Sequence, residues 1–185
     1  GGVGLIKDYN KMITMDLKEI DNLVLVIGKT EGHIDQSLFA RTILDEKNGP
    51  PPEVNLFNEK NNGETLLKLI EKNYIKSAHD VSLGGIITAI AKMCIKGKKG
   101  IKLNKSKYLI SSFEFFFGED QGRYLIEISK SDLKKVKDVL NKSSVHYDEL
   151  GIICENELLF DEKTKVSIDE LTTSNNSWLN KYMSN

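Results

Sequence analysis

The stretch Ser77–Lys96, SAHDVSLGGIITAIAKMCIK, joins a short strand pattern to an apolar helix pattern through two adjacent glycines. Amides exposed at a helix start favour an anion, and glycine lets a ligand approach the backbone closely. In the turn, Asp80 offers a hard oxygen ligand of the kind that magnesium prefers, and Ser82 can hydrogen-bond a phosphate. The stretch therefore predicts a site for a phosphate or a magnesium-bound nucleotide at Asp80, Ser82, Gly84 and Gly85.

Simpler interpretations of the same turn stay open. Asp80 and Ser82 are also residue types that cap a helix without binding anything. His79 could be a general base or a zinc ligand, but no Cys or His lies three or four residues away, which favours a packed or supporting histidine. Ser82 lacks the G-x-S-x-G pattern of a hydrolase nucleophile.

A second polar cluster follows an aromatic run at Phe115–Arg123, FFFGEDQGR. Glu119, Asp120 and Gln121 precede a strand pattern, and polar side chains at the end of a strand are well placed to hold a ligand. Arg123 is one of only two arginines in the chain, and we expect it to orient the carboxylates. The alternative is a turn that carries a surface Glu–Arg pair of little energetic value.

Strand and helix patterns alternate early in the chain, and strand patterns cluster late. The clearest break is the loop 48–55, NGPPPEVN, which holds all three prolines. This order predicts an α+β fold, a layered mixed β-sheet covered by helices. The predicted strands are 12–17, 23–28, 77–81, 101–103, 124–128, 147–153, 157–160 and 165–168. The predicted helices are 35–46, 59–73, 84–96, 131–140 and a last one from residue 167 or 168 to 179.

Length and composition limit the class of protein. The 185 residues suffice for one core, and the formal net charge of −1 does not favour nucleic acid or an anionic membrane as a partner. No apolar run approaches the length of a membrane span. The cysteines, Cys94 and Cys154, lack C-x-x-C spacing, which is consistent with a reducing cytoplasm. The chain opens on Gly1 without Met, so we expect residues 1–185 to be a single domain cut from a longer chain.

Six motifs occur in an order that resembles one superfamily. They are GK at 28–29, SLFAR at 37–41, GPPPEVNL at 49–56, SAHDVSLGG at 77–85, FGEDQGR at 117–123 and LGII at 150–153. The chain is similar to the C-terminal lobe of the aminoimidazole-ribonucleotide-synthetase superfamily. The SAHDVS form resembles the phosphoribosylformylglycinamidine synthase family of purine biosynthesis, and most closely the second of its two lobes of this type. The likeness runs from Gly1 to about Leu171.

The resemblance implies a reaction and a set of ligands. ATP phosphorylates the amide oxygen of formylglycinamide ribonucleotide, and ammonia from glutamine then displaces phosphate to give the amidine. The family pattern implies magnesium and ATP, with Asp80 as a metal ligand and Ser82, Gly84 and Gly85 near the nucleotide. Glu119, Asp120 and Gln121 would line the ligand site. None of these is expected to be a catalytic residue in its own right.

The resemblance also implies partners and leaves alternatives open. The implied partners are the chain's own N-terminal lobes, a glutaminase subunit and a small bridging subunit, and the 185 residues alone are expected to be inactive. Leu83 stands where the family usually has Asp, which leaves open whether Asp80 binds magnesium and whether this half is catalytic or structural. The lobe of another superfamily member, such as selenophosphate synthetase or the hydrogenase-maturation dehydratase, is the alternative, as is a non-catalytic lobe.

Overall fold

The computed structural model describes residues 1, 3–6, 8–104, 110–160 and 164–184. Its central strand is β1 (Leu23–Ile27), in which all five side chains are buried. A continuous apolar run suits a strand that is covered on both faces, and this strand lies in the middle of a seven-stranded sheet. The expected α+β fold, a mixed sheet covered by helices, is confirmed.

The sheet is mixed because one of its six strand pairings is parallel. The remaining strands are β2 (Ser77–Val81), β3 (Gly100–Leu103), β4 (Arg123–Ile128), β5 (Tyr147–Cys154), β6 (Glu157–Leu159) and β7 (Lys165–Ser167). Their spatial order is β2-β4-β1-β5-β3-β6-β7. The pair β3–β6 is parallel and the other pairs are antiparallel. Strand β2, which carries the SAHDV sequence, therefore lies at one edge.

In the part of the chain that the structure describes, five α-helices pack on the two faces of the sheet. They are α1 (Leu56–Glu71), α2 (Gly85–Gly97), α3 (Ser112–Phe117), α4 (Leu133–Lys142) and α5 (Ile168–Met183). Ile86, Ile90 and Met93 of α2 belong to one core, together with side chains of α3 and α5. Leu69 of α1 and Val136 of α4 belong to the core on the opposite face. None of the helices in the described part of the chain is long and apolar enough to cross a membrane.

The segment before β1 differs from its prediction. Residues 12–17 were expected to form a strand, but they make only one isolated parallel bridge, between Thr14 and Ser77. A buried carboxylate explains the difference, because Glu127 of β4 accepts hydrogen bonds from the amides of Lys18 and Glu19 at 2.8 and 3.0 Å. The same carboxylate binds the side chains of Asn22 and Ser77. The chain is thus turned towards β1 instead of continuing along the sheet edge.

One helix prediction was wrong, and one helix was not predicted. The expected helix 35–46 is reduced to one wide turn at Ala40–Leu44, which ends with Asp45 in a left-handed conformation. The aromatic run, to which the sequence analysis assigned no helix or strand, forms α3 with a capping box in which Ser111 and Glu114 satisfy each other's amides. The other strands and helices lie within a few residues of their predicted bounds. The assignment of residues 1–185 to one domain stays a prediction.

Candidate functional site

An open polar cavity of about 980 Å³ lies beside the C-terminal end of β1. Its walls are the loop that follows β1, the three prolines at 50–52, the first two turns of α1 and the turn before β4. Of the residues that the sequence singled out, Asp120 and Gln121 line this cavity. The others lie outside its lining: Asp80, Ser82, Gly84, Gly85 and Glu119. The two predicted clusters are neighbours, since β2 pairs with β4 and Glu119 accepts a hydrogen bond from the amide of Gly84, but of their residues Asp120 and Gln121 are the ones that line this cavity.

Asp120 holds one wall of the cavity in place. Its carboxylate accepts hydrogen bonds from three successive amides, those of Glu31, Gly32 and His33, at 3.0–3.1 Å. Arg123 reaches the same carboxylate at 3.5 Å, so the expectation that this arginine orients an acidic group agrees with the geometry. Because these donors already use the Asp120 oxygens, the residue shapes the site more than it offers a free contact to a ligand.

Arg123 is itself almost fully enclosed, with 1% of the residue exposed. Its guanidinium donates to the carbonyls of Asp120 and Gly118, at 3.1 and 2.7 Å, and to the hydroxyl of Thr30 at 3.2 Å. Burial lowers the pKa of Arg123 from its usual value, and the charges of Asp120 and Glu119 oppose that shift. The arginine therefore ties the turn before β4 to the loop that follows β1.

Glu119 links that turn to the start of α2. One carboxylate oxygen, Oε1, accepts hydrogen bonds from the amide of Leu38 at 2.7 Å and from the amide of Gly84 at 2.8 Å. An amide that the sequence suggested for phosphate binding is thus occupied by a carboxylate of the chain itself. An anion near this helix start would have to bind elsewhere or displace Glu119.

The two glycines are required by packing inside the protein. Gly84 has φ +84°, and a Cβ there would lie 2.2 Å from Oγ1 of Thr88. Gly85 has φ +69°, and a Cβ there would lie 2.6 Å from the carbonyl oxygen of Gly118. The backbone at Gly85 therefore packs directly against the end of α3, which explains the glycine without a ligand. Whether either glycine also contacts a nucleotide stays a prediction.

Asp80 and Ser82 are accessible at the sheet edge. The side chain of Asp80 is 63% exposed, and its Oδ1 lies 3.1 Å from Nδ1 of His79. His79 itself has a buried Nε2 with no hydrogen-bond partner among the described residues, and burial lowers its pKa. Neither Asp80 nor Ser82 caps α2 with its side chain, because the N-cap residue is Gly84 and no side chain of the described residues bonds to the first turn. Both side chains are therefore accessible to a ligand, with one oxygen of Asp80 already facing His79.

The residues near Asp80 fit magnesium only as part of a magnesium–nucleotide complex. Among the residues that the structure describes, no three His, Cys, Asp or Glu side chains converge in a way that could hold a metal ion. Asp80 alone would supply one oxygen, and phosphate oxygens and water would have to supply the rest, a common arrangement for magnesium. Leu83, 58% exposed beside it, adds no ligand.

Three polar residues that the sequence analysis did not single out lie at or beside the cavity. Glu59 and Asn62 of α1 line the cavity, and Tyr124 of β4 lies beside them, with its hydroxyl 3.6 Å from where a Cβ on Gly63 would lie. Burial raises the pKa of Tyr124, and the charges of Glu59 and Asp80 add to the shift. The spacing of residues 59 and 62 on one helix face was the available signal, but nothing in the sequence showed which surface that face meets.

Comparisons with known proteins agree on one family. The family model "AIR synthase related protein, C-terminal domain" matches residues 19–173. The chain is 71% identical over its whole length to phosphoribosylformylglycinamidine synthase subunit PurL of Pelagibacter ubique, of which it covers 25%. It is 37% identical over 182 residues to the PurL subunit of Bartonella henselae, again covering 25% of that protein. The chain thus spans about a quarter of the length of these curated relatives.

Solved structures share the fold at low sequence identity. A PurL from T. maritima complexed with FGAR matches with a TM-score of 0.75 at 17% identity, covering 88% of this chain and 30% of that one. The same protein complexed with ATP matches with a TM-score of 0.67 at 16% identity, covering 88% and 27%. A structure of PurLQS from Thermotoga maritima matches with a TM-score of 0.67 at 18% identity, covering 88% and 28%. At these identities the likeness establishes the fold alone.

Proposed function

Because the chain belongs to the family of AIR synthase related proteins, as their C-terminal domain, we propose that it is a lobe of a phosphoribosylformylglycinamidine synthase. In this reaction ATP, formylglycinamide ribonucleotide and glutamine-derived ammonia give the amidine, ADP and phosphate. The observation that carries the proposal is the 71% identity to a PurL subunit along all 185 residues. The lobe acts within the full-length polypeptide, and we expect the 185 residues alone to be inactive.

The geometry suggests how this lobe serves the reaction. Asp80 would supply one carboxylate oxygen to magnesium, and Ser82 would donate its hydroxyl to a phosphate oxygen nearby. When bound, magnesium neutralises the phosphate charge that develops during phosphoryl transfer. Gln121, exposed on the cavity wall, would bind the nucleotide or the ribonucleotide substrate. Glu119 and Asp120 act through the loops that they hold, since their oxygens already accept backbone amides.

The proposed partners follow from the relatives. The chain's own N-terminal lobes would supply the remaining walls of the site, and a glutaminase subunit with a small bridging subunit would deliver ammonia. A related protein has been solved as PurLQS, which supports an assembly of several subunits. We propose the cytoplasm as the location, in keeping with the two cysteines, which are free thiols.

The first test measures amidation by the full-length parent protein and its Asp80→Asn variant. We expect the wild type to form the amidine in an ATP-dependent reaction, and the variant to raise the KM for magnesium-ATP about tenfold or more, because it removes a charged metal ligand. Asp138→Asn is the matched control, since Asp138 is exposed on α4 and far from β2 in the chain. No amidine from the wild-type protein would refute the proposed function.

A non-catalytic lobe is the second candidate function. It is favoured because several groups predicted to bind a ligand are already bonded to other parts of the protein. Glu119 occupies the amide of Gly84, Asp120 is saturated by backbone donors, and Leu83 replaces a family carboxylate. If the wild type is active and Asp80→Asn leaves its KM for magnesium-ATP unchanged, this lobe supports the synthase as a scaffold and binds no metal at Asp80.

A further inference from the structure

Two hydrogen-bond acceptors that line the polar cavity have no partner among the residues that the structure describes. Asn62 is 8% exposed, and its Nδ2 donates to the carbonyl of Gly122 at 2.9 Å. Its Oδ1 accepts no hydrogen bond from any residue that the structure describes. Glu59 lies one turn earlier on the same helix face, and within the described ranges its carboxylate has neither a hydrogen bond nor an ion pair. Both side chains line the cavity.

Two glycines lie close to the side chains of Glu59 and Asn62. At Gly122, with φ +65°, an added Cβ would lie 2.7 Å from Oε2 of Glu59. At Gly28, with φ +99°, an added Cβ would lie 2.8 Å from the carbonyl oxygen of Gly122 and 3.2 Å from Nδ2 of Asn62. A larger residue at Gly122 would therefore crowd the Glu59 carboxylate, and one at Gly28 would crowd the bond between Asn62 and the carbonyl of Gly122. The two glycines therefore leave room beside these side chains for a group that donates hydrogen bonds.

The acceptors define the chemistry of what fits. A carboxylate and an amide oxygen, both without partners, favour a group that presents hydrogen-bond donors, and an acidic side chain is the usual partner of ribose hydroxyls in nucleotide sites. Lys29 and Gln121 line the same cavity and can face the charged part of such a ligand. We propose that Glu59 and Asn62 hold the ribose hydroxyls of a ribonucleotide. This inference rests on the proposed function, which makes ATP and formylglycinamide ribonucleotide the two candidate sources of the ribose.

The test uses the full-length parent protein and its Glu59→Gln variant. We expect the KM for one of the two ribonucleotides to rise about tenfold or more, because a charged acceptor is replaced by a neutral amide. Which KM rises identifies the source of the ribose. For that ligand, the 2′-deoxy analogue should show the same KM with both proteins, because the lost contact is the one to the hydroxyl.

The matched control is Glu64→Gln, which alters an exposed acid on the same helix; among the described residues Glu64 pairs with Lys60 alone, at 3.8 Å. Equal losses for the ribonucleotide and its 2′-deoxy analogue would overturn the inference, as would no change in either KM. A wild-type parent that forms no amidine refutes the proposed function instead. In that case the affinities of the wild type and Glu59→Gln for ATP and for 2′-deoxyATP are measured at equilibrium. A loss of affinity for ATP alone supports a contact between Glu59 and the ribose hydroxyl, and any other result contradicts that contact.

Discussion

Arg123 shows how much of the site's shape depends on single polar side chains. Its guanidinium reaches two carbonyls, one hydroxyl and one carboxylate from inside the protein. A guanidinium is suited to this role because its fixed fork of donors can satisfy several acceptors at once. Lysine, the far more common cation of this chain, has a single ammonium and cannot reach all of them.

We expect Arg123→Lys to lower the free energy of unfolding by about 2–4 kcal/mol, because acceptors such as the carbonyl of Gly118 lose their donor inside the protein. Urea unfolding followed by circular dichroism measures the change. Arg41→Lys is the control, since Arg41 is exposed and makes one long bond, from Nε to the carbonyl of Ser37 at 3.3 Å. A loss at Arg123 no larger than that at Arg41 would show that the buried bonds contribute nothing net.

For individual residues, the sequence located the polar cluster but did not show which groups its side chains would bind. The motif at residues 117–123 indicated correctly that Arg123 would face an acidic group. It could not show that Asp120 would be taken up by the amides of residues 31–33, because those amides come from a loop almost ninety positions earlier. Asn62 was missed for the same reason: its importance comes from Gly28 and Gly122, which reach it only in the folded chain.

Among the elements, the best predicted were those with strong periodicity or complete burial. Strand β1 and helix α2 lie within about one residue of their predicted bounds, because apolar runs of these lengths have few other stable placements. The segment 12–17 was mispredicted because a distant carboxylate, Glu127, takes the amides of the residues that follow it. Helix α3 was missed because three successive phenylalanines mask a helical period.

The contact between α2 and α3 can be tested with a pair of glycines. We expect Gly85→Ala to lower the free energy of unfolding by about 2 kcal/mol or more, because φ is +69° and the new Cβ would meet two carbonyl oxygens of α3 and its end. Gly63→Ala, inside α1, should raise it by about 0.5–1 kcal/mol, since its Cβ would lie no closer than 3.6 Å to another atom. Urea unfolding measures the free energy of unfolding of both variants. Similar effects at the two positions would contradict the close approach at Gly85.

For the whole molecule, the fold class followed from the order of strand and helix patterns, whereas the strand order did not. The sheet places β4 between β2 and β1, and β3 between β5 and β6, so that neighbours in space are distant in the chain. Such pairings depend on which apolar faces pack together, and local sequence patterns do not show this. The consequence is a sheet in which the same central strands, β1 and β4, contribute side chains to both cores.

This shared sheet predicts that the two cores unfold together. Leu69→Ala removes a fully buried side chain between α1 and the sheet, and Ile90→Ala removes one between α2 and the opposite face. Each should lower the free energy of unfolding by about 2–5 kcal/mol, with a single transition and an unchanged dependence on urea. Trp178, the only tryptophan, is exposed near the end of α5 and reports poorly on either core, so far-ultraviolet and tyrosine near-ultraviolet circular dichroism are the appropriate probes. If the transitions followed by the two probes coincide in the wild type but separate in one variant, each core can unfold alone. In that case β1 and β4 do not couple the two layers.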